Sequence, residues 1–428
     1  MIHRLSAELA APASLLGGKA RGLVELLRLG LPVPPAFVID TAACRAFLRD
    51  GSLPDGIEAA ARELAADTVS VRSGAEISMP GMMDTVLDLP VRELLPAVRA
   101  VFASWHTPRA TTYRSLHGIP HDLGTAVIVQ AMVHGERGGA GVAFSRDPST
   151  GEPAPYGEML FGRPGADVVS GTSVTAPLSD LASLEPAAWA ELRAALDRLE
   201  RHYRDVCHVE FTVDAGRLWF LQVRPGGLAG AAAVRVAVDL ADEQIIDRRT
   251  AVDRISPRDL AAARLPRIRH GDLLTRGQGA SPGVATGRIA VDADRAVRMA
   301  VDGPVLLVRP HTSPLDLHGM AAAVGILTSR GGPTSHAAVV ARAMRKPAVV
   351  AATGLTVEAA EVRAGARVLP EGTLITIDGT GGEVALGDPG STTEAAGPHL
   401  SRLLDWQRRE TCLDGGEQAV GAADDHLE

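Results

Sequence analysis

A histidine stands at the predicted start of a helix in the second half of the chain. Residues 331–333, Gly-Gly-Pro, end an apolar run, and Thr334 or Ser335 is a favourable N-cap for a helix from His336 to Met344. The first turn of a helix presents free N–H groups and the positive end of its dipole, which favour phosphate on or near an imidazole. A neutral imidazole is also a nucleophile at neutral pH. Residue types and spacing leave two interpretations equally open: a phosphate-accepting His336, or an exposed histidine at an ordinary capped helix.

Lysine is rare in this chain, and one of its lysines lies in a glycine-rich segment. Of 43 basic residues only Lys19 and Lys346 are lysines. Since arginine does not replace a compact ammonium at a tight site, Lys19 in Gly-Gly-Lys-Ala is predicted to contact phosphate. The segment is not a Walker loop, because no glycine stands five residues before Gly18 and Ala20 replaces the Ser or Thr. Lys346 follows a helical run and precedes a proline, where a cation suits a helix C-terminus.

Composition excludes several classes of protein. Of the 428 residues, 46% are hydrophobic and 22% are charged, as in a folded globular protein. The net charge of −8 does not favour a nucleic-acid backbone or an anionic membrane surface. No apolar stretch approaches the ~20 residues that span a bilayer, and the N-terminus lacks the apolar run of a secretory signal. Cys44, Cys207 and Cys412 lie far apart, which is typical of free thiols in a reducing compartment. We therefore expect a cytoplasmic protein whose partners are neither nucleic acids nor membranes.

Residue patterns divide the chain into four parts. Residues 1–226 alternate helices with antiparallel hairpins and predict an α+β domain, followed by an Ala- and Arg-rich helical connector over 227–275. A fresh glycine-rich run opens a second domain over 276–388, and 389–428 is predicted to be a partly disordered tail. Residues 135–141 are predicted to form a glycine-rich turn. The predicted strands cover 36–39, 69–74, 125–133, 209–213, 218–223, 304–308, 324–328 and 374–377, and the predicted helices cover 20–29, 185–203, 240–264, 314–323, 335–344 and 400–409.

The histidine segment resembles the phosphohistidine signature of the PEP-utilising enzymes. Residues 334–342, Thr-Ser-His-Ala-Ala-Val-Val-Ala-Arg, are closer to the pyruvate, phosphate dikinase family than to PEP synthases, which have Cys before the histidine. Residues 280–283, 306–314 and 318–320 are similar to the swivelling β/β/α domain of that family. The segments that resemble the family's ATP-grasp nucleotide-binding domain are 69–74, 79–85, 124–133, 141–152, 209–212 and 221–224. The resemblance favours a phosphohistidine at position 336. It also implies an α/β (α+β) chain, in which an ATP-grasp-like domain precedes the swivelling phosphohistidine domain.

The resemblance implies a site for ATP and Mg²⁺ in the first domain. The implied nucleotide-binding residues are Lys19, Arg72, Gln130, Met132, Glu210, Gln222 and Arg224. Lys19 and Arg72 would neutralise phosphate oxygens, and Gln130 and Met132 would lie at the adenine hinge.

Glu210 and Gln222 lie twelve residues apart on paired strands and would hold Mg²⁺ through the hard oxygen atoms that this ion prefers. Arg224 faces the same way as Gln222 and would hold the transferred phosphate. Without the other motifs, Glu210 and Arg224 would be interpreted first as a cross-strand ion pair. Met79, Met82 and Met83 are interpreted as a flexible packing loop.

The chain departs from the family pattern in several places. Only residues 86–102 fill a gap where family members carry a largely helical insertion. His208 stands where the family's Asp-Ile-Glu-Phe has its aspartate, and residues 162–167 lack a family glutamate. The resemblance ends near residue 388, before the C-terminal barrel that binds pyruvate or PEP in the family. Turnover is therefore expected to need a barrel on another polypeptide or a different acceptor.

The leading hypothesis is an ATP-dependent phosphotransferase of the pyruvate, phosphate dikinase type. His336 would be phosphorylated from ATP and would pass the phosphate to pyruvate/PEP chemistry on a barrel supplied in trans. A small-molecule, antibiotic-type kinase resembling rifamycin phosphotransferase is an alternative, although the 227–275 connector is short for the acceptor domain of that family. A non-catalytic nucleotide-binding regulator is a third hypothesis, against which the joint presence of His336 and the phosphate-binding residues argues. The sequence leaves open the final acceptor, the use of inorganic phosphate and regulation at Thr334.

Overall fold

Helices and strands make up the larger part of the residues that the structure describes. The computed structural model describes residues 1–77, 79, 82–162, 175–228, 230–264, 266–268, 271–393 and 397–420. The helices are α1 (Ala13–Leu16), α2 (Gly18–Arg28), α3 (Thr41–Asp50), α4 (Ile57–Glu63), α5 (Leu94–Ala103), α6 (Pro108–His117), α7 (Leu181–Leu184), α8 (Pro186–Tyr203), α9 (Gly230–Asp242), α10 (Arg248–Asp253), α11 (Pro257–Ala263), α12 (Ala293–Ala300), α13 (Leu317–Ala322), α14 (His336–Ala343) and α15 (Pro398–Val420).

The strands divide into those before residue 226 and those after residue 265. The first group is β1 (Ile2–Arg4), β2 (Ala36–Ile39), β3 (Thr68–Gly74), β4 (Thr85–Pro90), β5 (Ala126–Ala131), β6 (Gly138–Phe144), β7 (Tyr156–Phe161), β8 (Ala176–Pro177), β9 (Cys207–Asp214) and β10 (Arg217–Pro225). The second group is β11 (Pro266–Ile268), β12 (Leu273–Arg276), β13 (Gln278–Ser281), β14 (Val284–Ala290), β15 (Val305–Arg309), β16 (Gly325–Thr328), β17 (Ala348–Val350), β18 (Leu355–Val357), β19 (Glu361–Ala364), β20 (Arg367–Pro370), β21 (Leu374–Asp378), β22 (Glu383–Leu386) and β23 (Ser391–Thr393).

Two antiparallel five-stranded sheets form the first half of the chain. Their strand orders are β1-β2-β5-β3-β4 and β10-β9-β6-β7-β8. The predicted strands at 36–39 and 69–74 and the hairpin of β9 and β10 are confirmed. The predicted turn over 135–141 is wrong in its second part, because β6 already begins at Gly138. Glycine is needed in this strand for close packing, since a Cβ atom on Gly141 would lie 2.8 Å from the carbonyl oxygen of Glu158.

Helix α8 shows why one face of the second sheet is covered. Its buried residues recur every three or four positions, which places them on one side of a helix, and Pro186 at its first turn needs no hydrogen-bond partner there. The buried side chains on this helix are Ala188, Leu192, Ala195, Leu196 and Leu199, and they share a core with Val209, Phe211 and Val213 of β9. Burial of each leucine stabilises the fold by about 2 kcal/mol. The opposite face of this sheet remains available for a site.

A mixed eight-stranded sheet organises the second half. Its order is β12-β22-β21-β14-β15-β16-β17-β13, and the neighbours from β14 to β17 are parallel. Because parallel neighbours need a crossover connection, α14 lies between β16 and β17 in the chain. The predicted elements at 304–308, 324–328, 374–377 and 335–344 are confirmed within one or two residues. The loop over 329–335 therefore leaves the end of a parallel strand and delivers His336 to the start of α14.

The helices of the predicted connector pack against a helix near the end of the described chain. Helices α9 and α10 share a hydrophobic core with α15, to which Leu400, Leu403 and Trp406 contribute. Arg402 donates two hydrogen bonds of 2.6 Å to Asp242. Strands β11 and β23, which lead into and out of the large sheet, pair with each other. Within the described part of the chain, every helix is too short or too polar to cross a membrane.

Candidate functional site

Two cross-strand rows define the open face of the second sheet. In the first row Glu158, Val142, Glu210 and Gln222 are direct neighbours on β7, β6, β9 and β10. In the second row Tyr156, Phe144, His208 and Arg224 are aligned in the same way. Because side chains two residues apart on a strand point to the same face, both rows lie on the side of the sheet opposite α8. This face brings together Glu210, Gln222 and Arg224, as the sequence predicts.

Glu210 and Gln222 converge as expected for a pair that holds a cation. Gln222 Nε2 donates a hydrogen bond of 3.1 Å to Glu210 Oε1, which leaves the Gln222 Oε1 atom as an oxygen donor for a metal. Burial alone would raise the pKa of Glu210, but Arg224, Arg72, His208 and Lys19 together hold this pKa below its ordinary value. Glu210 is therefore ionised at neutral pH. The two residues present the hard oxygen atoms that suit Mg²⁺.

Lys19 lies in the first turn of α2, where the chain packs tightly against the end of β3. Gly17 precedes this helix with φ +78°, and a Cβ atom there would lie 1.5 Å from the carbonyl oxygen of Gly74. The Lys19 Cβ atom would lie 3.6 Å from a Cβ atom built on Gly74. Burial, with smaller contributions from Arg72 and Arg224, lowers the pKa of Lys19 to about 7, and Glu210 opposes this shift. A cluster of cations around one ammonium is the electrostatic setting of an anion site.

Arg72 links the two sheets of the first half. From β3 its Nη2 atom donates to Gln130 Oε1 on β5 at 2.6 Å and to the Leu221 carbonyl oxygen on β10 at 2.8 Å. Its Nη1 atom lies 3.9 Å from Glu210 Oε2, and its buried Nε atom has no hydrogen-bond partner among the described residues. This free donor is available to an anion between the sheets.

Gln130 and Met132 were predicted to lie at the adenine hinge. Gln130 is buried. Its side-chain oxygen accepts a hydrogen bond from Arg72, and its side-chain nitrogen donates one to the Pro34 carbonyl oxygen. Met132 directly follows β5, and its backbone N–H donates to the Thr68 carbonyl oxygen at 3.0 Å. Both residues therefore lie at the same end of β5, and an adenine contact stays a prediction.

His336 is the first residue of α14, and among the described residues only one of its two ring nitrogens has a hydrogen-bond partner. Its Nδ1 atom lies 3.0 Å from Thr312 Oγ1, and its Nε2 atom is buried with no partner in the part of the chain that the structure describes. Burial lowers the pKa of His336 to about 4, which Asp316 opposes. When Nδ1 carries the proton and donates to Thr312, Nε2 presents its lone pair. Ser335 occupies the predicted N-cap position, but its side chain makes no capping bond.

The His336 loop packs directly on the open face of the second sheet. Thr334 Oγ1 donates a hydrogen bond to Glu158 Oε2, and a Cβ atom on Gly332 would lie 1.5 Å from Glu158 Oε1. Arg342 of α14 lies over the Phe144 ring at 5.9 Å. Glu158 belongs to the same row as Glu210, so the loop that carries His336 lies against the face that carries the predicted nucleotide ligands.

Apolar side chains fill the rest of this contact. Met79, Met82 and Met83 belong to one buried cluster with Ala337 and Val340 of α14. Met82 is completely buried. The interpretation of these methionines as packing residues is thus confirmed for the described residues of the loop. Methionine fills irregular gaps well, which suits a surface between two domains.

Sequence reasoning missed three residues of this region. Glu158 and Thr312 carry no local signal, because their partners lie 176 and 24 residues away. His208 is recognisable in the sequence as a departure from the family pattern, but the sequence does not predict that its ring stacks on Phe144 with 4.5 Å between ring centroids. The pairing of β6, β7 and β9 is the signal that would have found Glu158 and His208. The predicted loss of a glutamate near residue 166 lies outside the described residues.

The fold defines a class of protein in which a two-sheet nucleotide-binding domain precedes a domain that carries a histidine. The family model of the pyruvate phosphate dikinase AMP/ATP-binding domain matches residues 13–70, 56–177 and 172–244. The model of the mobile domain of PEP-utilising enzymes matches residues 301–382. The chain therefore belongs to the pyruvate, phosphate dikinase family. The predicted order of an ATP-binding domain followed by a mobile domain of the PEP-utilising enzymes is confirmed.

Curated relatives from bacteria and plants share most of this chain. The pyruvate, phosphate dikinase of Rhizobium meliloti (strain 1021) is 38% identical over 538 aligned positions, covering 95% of this chain and 60% of that protein. The chloroplastic enzyme of Flaveria trinervia is 35% identical and covers 92% of this chain and 53% of that protein. Pyruvate, phosphate dikinase 2 of Oryza sativa subsp. japonica is 35% identical, with coverages of 92% and 57%.

The chain thus spans little more than half the length of these relatives. The 538 aligned positions exceed the 428 residues of the chain, so the bacterial relative carries additional residues inside the matched region. Among solved structures, D-alanyl-alanine synthetase A from Vibrio cholerae has a TM-score of 0.32 and 12% identity, and the match covers 49% of this chain and 55% of that one.

Proposed function

We propose that this chain transfers a phosphoryl group from ATP to His336 and then to an acceptor, in chemistry of the pyruvate, phosphate dikinase type. One observation carries the proposal. The hydrogen bond between Thr334 and Glu158 holds the His336 loop on the sheet face that presents Glu210 and Gln222. The free Nε2 atom of His336 is the nucleophile that this arrangement supplies.

The basic residues of the first domain would bind the phosphates of ATP. Lys19 at the start of α2 and Arg72 between the sheets each have a donor for a phosphate oxygen. Arg224 faces the same side as Gln222 and would hold the phosphoryl group that is transferred. The adenine would lie at the end of β5, beside Gln130 and Met132.

Glu210 and Gln222 would hold the divalent cation, and the oxygen atoms of these two residues by themselves suit Mg²⁺. The ionised carboxylate and the free amide oxygen fit such an ion. When bound, the cation supplies charge neutralisation on the phosphates. The protein contributes the orientation of these ligands through the register of β9 and β10.

The transfer itself needs an unprotonated nitrogen close to phosphorus. The lone pair of His336 Nε2 would attack the β-phosphorus of ATP, so that a P–N bond forms while the P–O bond to AMP breaks. The proton on Nδ1 would stay on the Thr312 side, because Nδ1 already has this hydroxyl as its partner. His336 would then carry a diphosphoryl group. An oxygen of inorganic phosphate, the expected acceptor, would attack the γ-phosphorus while its bond to the β–γ bridging oxygen breaks, so that pyrophosphate leaves and the β-phosphoryl group stays on His336. A cytoplasmic location is proposed from the composition alone.

Labelled ATP provides the test of this first half-reaction. The purified chain with Mg²⁺ is expected to retain acid-labile, base-stable label from β-labelled ATP and to release AMP, because attack occurs at the β-phosphorus. The measurement is protein-bound radioactivity together with nucleotide chromatography. Label that comes from the γ position with release of ADP would contradict the dikinase route. If nucleotide binds but the protein retains label neither from β-labelled nor from γ-labelled ATP, the proposal is overturned.

The pyruvate-binding part is proposed to act in trans. The two matched regions account for most of this chain, and the relatives are longer. Addition of a separate barrel domain from a family member is expected to allow the phosphorylated chain to convert pyruvate into PEP. The assay is PEP formation with and without the barrel, alongside discharge of the phosphoenzyme by pyruvate. PEP formation by the chain alone would contradict this arrangement, and failure with every barrel despite normal phosphorylation would indicate a different acceptor.

A further inference from the structure

His208 occupies a central place on the open face of the second sheet. It lies on β9 two residues before Glu210, so that the two side chains point the same way with Cα atoms roughly 7 Å apart. Its direct neighbours across the sheet are Phe144 and Arg224. None of the roles proposed above uses this histidine.

The orientation of the His208 ring is fixed, yet one of its nitrogen atoms has no partner. The ring stacks on Phe144 with an interplanar angle of 10° and 4.5 Å between centroids. Its Nε2 atom is buried and makes no hydrogen bond within the described residues. Buried polar atoms nearly always have a partner in native proteins. A buried nitrogen that is held in place and left unpaired therefore indicates a ligand that completes it.

We propose that His208 Nε2 is a nitrogen ligand of the nucleotide-bound divalent cation, and that this ligand gives the site a preference for Mn²⁺ or Co²⁺ over Mg²⁺. The inference rests on the proposed nucleotide site. It adds to that site a third ligand, on the strand that carries Glu210 and opposite the strand that carries Gln222.

Ligand chemistry explains the preference. Mg²⁺ favours oxygen atoms in a nearly octahedral arrangement, whereas imidazole suits the transition metals. A nitrogen in the first coordination sphere therefore strengthens the binding of Mn²⁺ or Co²⁺ more than that of Mg²⁺. The affinity for each ion then depends on residue 208 as well as on Glu210.

The cation is expected to arrive with the nucleotide. Lys19, Arg72 and Arg224 surround Glu210 with positive charge, which disfavours a free divalent ion. In the part of the chain that the structure describes, no group of three or more His, Cys, Asp or Glu side chains is arranged to hold a metal by itself. Phosphate oxygens would supply the remaining ligands.

Pulsed electron paramagnetic resonance of the full chain with Mn²⁺ and a non-hydrolysable ATP analogue tests the proposal. Bound Mn²⁺ is expected to show nitrogen-14 modulation from a coordinated imidazole. This modulation should be lost in His208→Asp, in which a carboxylate takes the place of the ring, and in His208→Gln. It should persist in His336→Asn, the matched control for the other histidine with a free Nε2 atom. Bound Mn²⁺ without nitrogen modulation in the wild type, or modulation that survives both His208 variants, would overturn the proposal.

Metal dependence provides a second readout. The wild type should half-saturate with Mn²⁺ at a concentration severalfold below that for Mg²⁺ in nucleotide binding, and His208→Asp should reduce this difference. Nucleotide binding is measured separately by calorimetry. A chain that fails to bind nucleotide with any cation would refute the proposed function and this inference together, whereas normal binding with equal use of both ions would refute this inference alone.

Discussion

Replacement of His336 by asparagine is expected to abolish retention of phosphate on the protein. Asparagine can still bond Thr312, but its amide nitrogen has no available lone pair to attack phosphorus. Nucleotide binding should stay close to that of the wild type, since no predicted nucleotide-binding residue is changed. The measurement is acid-labile label per mole of protein, with a nucleotide titration as the control. Equal label on the wild type and the variant would place the phosphate on another residue.

The pH dependence of this reaction gives a second readout of the same assignment. An unperturbed histidine loses its free lone pair below a pKa of about 6.5, whereas burial lowers the pKa of His336 to about 4. The neutral imidazole therefore persists as the pH falls from 8 to 5. At saturating nucleotide, the phosphorylation rate should therefore not fall with a midpoint near pH 6.5, the midpoint that titration of an unperturbed histidine would give. The same shift implies that the folded state loses stability as the pH falls from 6.5 towards 4, because the unfolded chain takes up this proton first.

Replacement of Lys19 by arginine is expected to slow phosphorylation by about a hundredfold or more, although the charge is kept. The first turn of α2 packs against Gly74, and the space beside Arg72 and Arg224 suits a compact ammonium better than a planar guanidinium. The experiment compares single-turnover rates of Lys19→Arg with those of Lys346→Arg. Lys346 is the matched control, because its ammonium bonds the carbonyl oxygens of Ala321 and Ala323 in the second domain. A rate for Lys19→Arg equal to that of the wild type would show that Lys19 is incidental.

Calorimetry separates a charge effect at Lys19 from a loss of fold. In the free protein the pKa of Lys19 is lowered to about 7, so that much of this group is neutral at pH 7.5. Phosphates beside the ammonium would raise this pKa, and nucleotide binding should then take up part of a proton. The uptake is measured from the binding enthalpy in buffers of different ionisation enthalpy. It should disappear in Lys19→Arg, because arginine stays charged at this pH.

The sequence predicts those features that depend on local chemistry. The start of α14 at His336 follows from a Gly-Gly-Pro break and a serine at the N-cap, all within a few residues. The turn Asp214-Ala215-Gly216 fixes the register of the β9–β10 hairpin as far as Phe220 opposite Phe211. A bulge at Leu221 then places Gln222 opposite Glu210, and no local pattern in the sequence predicts that bulge.

Features that join distant segments were not predictable in the same way. The side chain of Gln130 could be placed on a buried strand, but not its bond to Arg72, 58 residues earlier. The contact of Gly332 with Glu158 depends on how two domains meet, and no local pattern encodes that geometry. The chemistry of the site was therefore apparent from sequence, whereas the surface on which the histidine domain rests was not.

The methionine-rich contact between the two domains has a thermal consequence. Met82 and Met320 are completely buried in a cluster to which both domains contribute. The polar contacts between the domains include a hydrogen bond from Thr334 to Glu158 and one of 3.1 Å from Ser149 to the Gly279 carbonyl oxygen. Because attraction between apolar groups weakens on cooling, such a junction loosens in the cold and tightens as the temperature rises towards the physiological range. The same chain therefore holds its histidine domain less firmly at low temperature, without any change in its bonded contacts.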